Sequence, residues 1–212
     1  MAMISTSVTA LTEPLPDAAE LDARLVTLRG RFPRAIVDRY LRALPALGAR
    51  AVVFPGAAVV GDVALGDDVS IWYGAVLRGD LARVRVGARS NIQDGAVLHV
   101  ADDGPCEVGE DTVVGHRAML HACRVEDACL IGMQSTILDG AVIGRGSVVG
   151  AGALVTQRTV IPPLSLALGV PAHVVRRLEE KDEAFHRAMA HKYVRLKENY
   201  RCDSLRQEIG DK

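Results

Sequence analysis

An aliphatic residue returns at every sixth position through the middle of this chain: Ile131, Ile137, Ile143, Val149, Val155 and Ile161. Upstream the same step runs Val53, Val59, Leu65, Ile71, Leu77, then Val86, Ile92, Leu98, then Val108, Val114, Leu120. Glycine repeatedly follows one position later (Gly66, Gly87, Gly109, Gly115, Gly132, Gly144, Gly150), and a small residue four positions later (Ala75, Ser90, Ala96, Ala118, Ser135, Ala141, Ser147, Ala153). A unit of six residues is too short for a helix pair or a hairpin. It suits one short strand plus a turn, with the aliphatic side chain inward and glycine supplying turn dihedrals that other residues avoid. Three such units make one coil of a triangular prism, and stacked coils make a parallel β-helix. Aromatics at 4% and 20 glycines suit so thin and repetitive a core.

The hexapeptide period resembles that of the left-handed β-helices, which depart from the usual right-handed crossover. The predicted architecture is an all-β left-handed parallel β-helix over residues 49–175. A partly helical N-terminal extension (1–48) precedes it; a C-terminal α-helix (176–205) and a short tail (206–212) follow. Residues 80–85 and 102–107 break the frame and read as loops extruded from the prism. Leu21, Leu25, Leu28 and Phe32 share a helical face behind a capping pattern, Asp17 with Glu20. Ile36, Tyr40 and Leu44 suggest a second short helix. On the C-terminal helix, Leu178, Phe185, Met189, Tyr193, Leu196 and Tyr200 form a stripe expected to pack on the prism or a neighbour.

Composition excludes several classes. A formal net charge of −1 leaves no electrostatic footprint for nucleic acid or an anionic membrane. Cys106, Cys123, Cys129 and Cys202 lack metal-knuckle spacing and secreted-scaffold density, so reduced thiols are expected. Met1–Ala23 holds no Lys or Arg and so lacks the basic start of a secretory leader, and no apolar run reaches bilayer-spanning length. A soluble, cytoplasmic protein is the expectation.

Six histidines remain to be placed. His173 marks the exit from the repeat, and His186 and His191 are expected to be solvated on the charged helix. His99 and His121 each follow a core leucine, Leu98 and Leu120, and stand 22 residues apart: one coil of 18 plus a four-residue insertion. Their imidazoles should stack on adjacent coils about 4.8 Å apart, close enough to share a metal ion. Otherwise they are separate surface histidines. His116 falls on the preceding face, so it would complete such a site only from a neighbouring chain in a threefold oligomer. Three imidazoles with one open position form a catalytic rather than a structural metal set. Gln93 takes the frame position of His99 one face earlier. Arg78 and Asp80 flank the first register break and read as an inter-subunit ion pair or a substrate contact. Asp94 is placed to orient Arg78 or a histidine.

The blocks Ser70-Ile71-Trp72, Leu77-Arg78-Gly79-Asp80, Asn91-Ile92-Gln93-Asp94-Gly95, Leu98-His99-Val100, Val114-Gly115-His116 and Leu120-His121-Ala122-Cys123 together resemble the gamma-class carbonic anhydrase family, over roughly residues 50–200. The resemblance implies a homotrimer with sites between subunits. Zn²⁺ (or Fe²⁺ or Co²⁺) would be bound by His99 and His121 of one chain and His116 of the next, and CO₂ would be hydrated reversibly to bicarbonate. It further implies that Gln93 orients the attacking oxygen, that Asn91 helps to place CO₂ or bicarbonate, and that Arg78 pairs with Asp80 or Asp94. Two features depart from the founding members. Leu81 stands where they carry a glutamate after the R-x-D block, and the loop between His99 and His116 offers only Asp102, Asp103 and Glu107 as acids. Tyr193 is a candidate to reach the site from the C-terminal helix. The alternatives are a metal-binding assembly trimer with little turnover and a CoA-linked acyltransferase or thioesterase on the same prism.

Overall fold

The computed structural model of the protein describes residues 17–210, with side chains described through Arg201. The expectation of no leader rests largely on residues 1–16. Those residues, the thiol of Cys202 and the side chains of the tail lie outside the described part. Helix α1 (Ala18–Arg31) starts where the capping pattern places it, with the Glu20 backbone N–H donating to Asp17 Oδ1 at 2.7 Å. It lays Leu21 and Leu25 against the end of the prism.

The chain then winds as a left-handed parallel β-helix of about seven coils. The first coil is β1 (Ile36–Asp38), β2 (Ala46–Leu47) and β3 (Val52–Val53). In the second and third coils long strands round a corner: β4 (Ala58–Leu65) with β5 (Ser70–Ile71), and β6 (Val76–Val86) with β7 (Asn91–Ile92). The fourth holds β8 (Val97–His99), β9 (Cys106–Val108) and β10 (Val113–Val114), and the fifth β11 (Met119–His121), β12 (Arg124–Val125) and β13 (Leu130–Ile131). The sixth holds β14 (Thr136–Ile137), β15 (Val142–Ile143) and β16 (Val148–Val149), and the seventh β17 (Leu154–Val155), β18 (Val160–Ile161) and β19 (Ser165–Gly169). Strand β20 (Ala172–Arg177) folds back antiparallel on β19, and α2 (Glu180–Gly210) follows.

Coil stacks on coil in register, Leu77 beside Leu98, Leu98 beside Leu120 and Leu120 beside Ile137. Each of these six-step residues is fully buried, as are Ile71, Ile92, Ile131 and Ile143. Each contributes about 1.5–3 kcal/mol by leaving water. The prism interior is therefore a column of branched aliphatic side chains with the small residues at its corners. Among the described residues no helix is long and apolar enough to cross a membrane.

Three expectations are corrected. The second short helix does not form: Ile36–Asp38 and Ala46–Leu47 are strands with a turn between them, because β1 and β2 pair in parallel with β4 and extend the solenoid by a coil. The glycines directly after the aliphatic positions serve close approach rather than unusual dihedrals. Positive φ falls two positions later, on Asp68, Arg89, Asp111, Arg117, Gln134 and Arg158 and on a second set of glycines that includes Gly140 and Gly152, whereas Gly66, Gly87, Gly109 and Gly132 have ordinary φ. What those glycines lack is room, since a Cβ on Gly87 would lie 2.5 Å from the carbonyl carbon of Gly109 on the next coil. The third correction concerns part of α2. Tyr193, Leu196 and Tyr200 of the predicted stripe pack on the prism around Phe54 and Trp72 as expected, but Phe185 is 62% exposed, and the most deeply buried helix positions are Glu183, His186, Ala190 and Lys197. His186 is buried, with Nδ1 3.2 Å from the Ala128 carbonyl oxygen, and His191 Nε2 lies 3.2 Å from Asp111 Oδ1, so neither is a freely solvated histidine.

Candidate metal centre

One corner of the prism carries four polar side chains, one on each of four successive coils. Asp80 extends from β6, His99 ends β8, His121 ends β11, and Asp139 stands in the turn after β14. The register makes this a column, because β8 and β11 pair with His99 directly beside His121. Asp80 Oδ1 lies 3.1 Å from His99 Nε2, His99 Nδ1 lies 3.1 Å from His121 Nε2, and His121 Nδ1 lies 2.5 Å from Asp139 Oδ1. Both carboxylates are acceptors, so the outer nitrogen of each ring carries the proton. The two inner nitrogens then face each other with lone pairs, in opposite tautomers.

Two converging lone pairs repel unless a proton or a cation lies between them. Ligand nitrogens at about 2.0–2.1 Å from a tetrahedral ion stand about 3.3 Å apart, close to the 3.1 Å observed. Histidines that donate their other N–H to carboxylates are the usual form of metal-ligating imidazoles. The pair fits a divalent metal. Its own set is incomplete: among the described residues no three His, Cys, Asp or Glu side chains gather to hold an ion.

His116 is not part of this column. It sits in the turn after β10, at the corner where the β10 face meets the β11 face, at the opposite end of β11 from His121, and its Nδ1 pairs with Asp94 Oδ2 at 3.0 Å. Gln93 begins the equivalent turn one coil earlier, and its Nε2 donates to Asn91 Oδ1 at 3.2 Å. Asn91 and Gln93 are both buried, and Asn91 Nδ2 has no hydrogen-bond partner. Such a group is uncommon in a folded interior and costs about 1–3 kcal/mol. The predicted residues thus divide into two half-sites on different corners: Arg78, Asp80, His99 and His121 on one, and Asn91, Gln93, Asp94 and His116 on the other.

Arg78 pairs with Asp80, and Asp94 pairs with His116 rather than with Arg78. Burial alone would raise the Asp80 carboxyl, but its hydrogen bonds to His99 and Arg78 outweigh that and hold it below the ordinary carboxylate range. Residues 80–83 bulge opposite Asp62, and 101–105 form a loop beside His99, so both frame breaks fall next to the column. Tyr193 does not join it. Its ring packs edge-on against Trp72, 5.9 Å between centroids, in an aromatic cluster with Phe54 beneath α2. Asp139 was missed in the sequence. Coil counting does not reach it: the coil here is 17 residues, Leu120 pairing with Ile137, so the frame position below His121 is Leu138 and Asp139 stands one residue beyond.

The family profile "Bacterial transferase hexapeptide (six repeats)" matches residues 122–157. The chain is 41% identical over 168 residues to "Gamma carbonic anhydrase 1, mitochondrial" of Arabidopsis thaliana, covering 76% of this chain and 61% of that protein, less than two thirds of its length. It is 49% identical over 143 residues to a Methanocaldococcus jannaschii protein named "Probable carbonic anhydrase", covering 68% of this chain and 90% of that one. A crystal structure of a proposed acetyltransferase from Bacillus cereus superposes with a TM-score of 0.77 at 38% identity, over 79% of this chain and 97% of that one.

Proposed function

The chain belongs to the gamma-class carbonic anhydrase family, and from that premise we propose that it hydrates CO₂ reversibly to bicarbonate at sites completed between subunits of a homotrimer. The observation that carries this reading is the pair of carboxylate-anchored imidazoles whose inner nitrogens meet at 3.1 Å. His99 and His121 would hold a divalent metal, Zn²⁺ or else Fe²⁺ or Co²⁺, with His116 of a second chain. When bound, the metal supplies the Lewis acidity that brings the pKa of a water towards about 7.

The remaining work falls to this chain's own groups. Asp80 and Asp139 hold the rings in their ligating tautomers. Arg78 fixes Asp80 in turn. Gln93, already committed to Asn91 through one amide hydrogen, directs its remaining groups at the reacting oxygen. The Asn91 amide offers CO₂ or bicarbonate a donor that has no partner among the described residues. Hydration releases one proton per turnover. Asp102 and Asp103, exposed on the loop next to His99, are the acids placed to pass it to solvent.

Assembly has support on the same face. Val76, Val97 and Met119 point outward in a half-buried apolar column on three successive coils, two of whose strands end in His99 and His121, a surface suited to a second prism. Three buried free thiols, Cys106, Cys123 and Cys129, suit the reducing cytoplasm. A second reading, a metal-binding trimer with little turnover, is favoured by Leu81, which is 54% exposed where a shuttle carboxylate would serve.

Metal analysis with stopped-flow CO₂ hydration tests both. Stoichiometric metal with turnover supports the hydratase, and metal without turnover supports the assembly protein. In His116→Ala, loss of metal with the trimer intact is expected. Full metal stoichiometry in that variant would overturn the inter-subunit site.

A further inference from the structure

The column Asp80–His99–His121–Asp139 has a carboxylate at each end, and only one of the two is shared. Asp80 divides its oxygens between His99 and Arg78. Among the described residues Asp139 pairs with His121 alone, at 2.5 Å. The backbone around it is pinned from both sides. The Asp139 carbonyl accepts the Arg158 N–H at 2.9 Å from the coil below, and the Gly140 N–H donates to the Ala122 carbonyl at 2.7 Å on the coil above. The Arg158 side chain lies across Gly140, its Cγ 3.3 Å from where a Cβ would stand. The backbone that carries the carboxylate is therefore fixed by its neighbours before any ligand arrives. It faces Nδ1, the nitrogen turned away from His99.

We propose that Asp139 is a positioning residue: it fixes His121 as the Nδ1–H tautomer and presents Nε2, unprotonated, to the metal. The inference rests on the ligand role given above to His121 and adds the residue that makes that nitrogen available. Without Asp139 the imidazole is free to carry its proton on Nε2 or to rotate about its side-chain bonds. Either change turns a lone pair away from His99.

The test uses the full chain and two readouts besides turnover. Co²⁺ affinity is measured by chelator competition in wild type, Asp139→Ala, Asp139→Asn and His121→Ala. The tautomer of His121 is read from ¹⁵N ring shifts of the metal-free protein. Removing a carboxylate of this kind weakens metal binding about 10–100-fold. Asp139→Ala should fall in that range, with loss of the Nδ1–H signature. Asp139→Asn keeps the shape and one acceptor oxygen, so it should lie between Ala and wild type. This also covers the case in which the Ala variant folds poorly. Wild-type Co²⁺ affinity and an unchanged tautomer in Asp139→Ala, with binding abolished in His121→Ala, would overturn the proposal and leave the ligand assignment standing. Undiminished affinity in His121→Ala would overturn both.

Discussion

If close approach between coils is what the turn glycines provide, Gly87→Ala should harm this protein more than Gly152→Ala. The two positions separate space from dihedral. Gly87 has an ordinary φ, but its missing Cβ would meet Gly109 C at 2.5 Å, Glu110 N at 2.6 Å and Gly109 O at 2.8 Å, all backbone. Gly152 has φ +67° with nothing within 4 Å of the added atom. At Gly152 the cost is the left-handed conformation alone, about 1–2 kcal/mol for an L-residue. At Gly87 the coils must separate by nearly 1 Å to restore ordinary contact. The Gly87 N–H donates to the Val108 carbonyl at 2.7 Å, and that bond would lengthen past the useful range. Overpacking of about 1–3 kcal/mol and one or two lost rung hydrogen bonds at about 1 kcal/mol each give about 2–5 kcal/mol. For a chain of this length that lowers Tm by about 4–20 °C, against about 2–8 °C for Gly152→Ala. Circular dichroism melts on the two purified variants decide it. The reasoning fails if Gly152→Ala melts lower than Gly87→Ala.

Two further outcomes follow from the seat of α2. Lys197 is fully buried, and its Nζ donates to the Arg50 carbonyl (2.6 Å), Asp68 (3.0 Å) and Glu198 (2.9 Å). Asp68 keeps Arg50 as a second partner, so Lys197→Met should cost about 1–3 kcal/mol rather than the larger penalty of a stranded charge, measured by urea denaturation. Burial pushes the His186 imidazole below its ordinary value, against the opposing pull of the Ala128 carbonyl, Asp182 and Glu183. Its contribution is therefore complete above the unfolded pKa of about 6.5 and falls as pH drops through and below that value. Proteolytic release of α2 should accelerate between pH 7 and pH 5 in wild type. In His186→Gln, which cannot titrate, that part of the acceleration should be absent.

The coil frame was legible because a parallel β-helix repeats one local rule. Each aliphatic position faces the same axis, so Leu98 and Leu120 could be stacked by counting, and His99 and His121 with them. The same counting stops short of Asp139, because the coil after His121 is 17 residues long and its frame position is Leu138. Ile36, Tyr40 and Leu44 show where local pattern fails. Their spacing of four suits a helix, but the exposed edge of β4 offers backbone partners, and the two ends of the segment pair there instead. The face of α2 was legible in part. Tyr193 and Leu196 pack on the prism as the stripe requires, whereas Phe185 is left outside, and His186 and Lys197 are buried because carbonyls on turns 58 and 147 residues away receive their polar atoms.

The sequence alone determined the prism, its coil length and the residue types at the metal corner, since those depend on spacing along the chain. Tertiary structure decided which nitrogen of each ring is free and which carboxylate holds it. Those depend on distances between coils, which a one-dimensional period leaves unspecified.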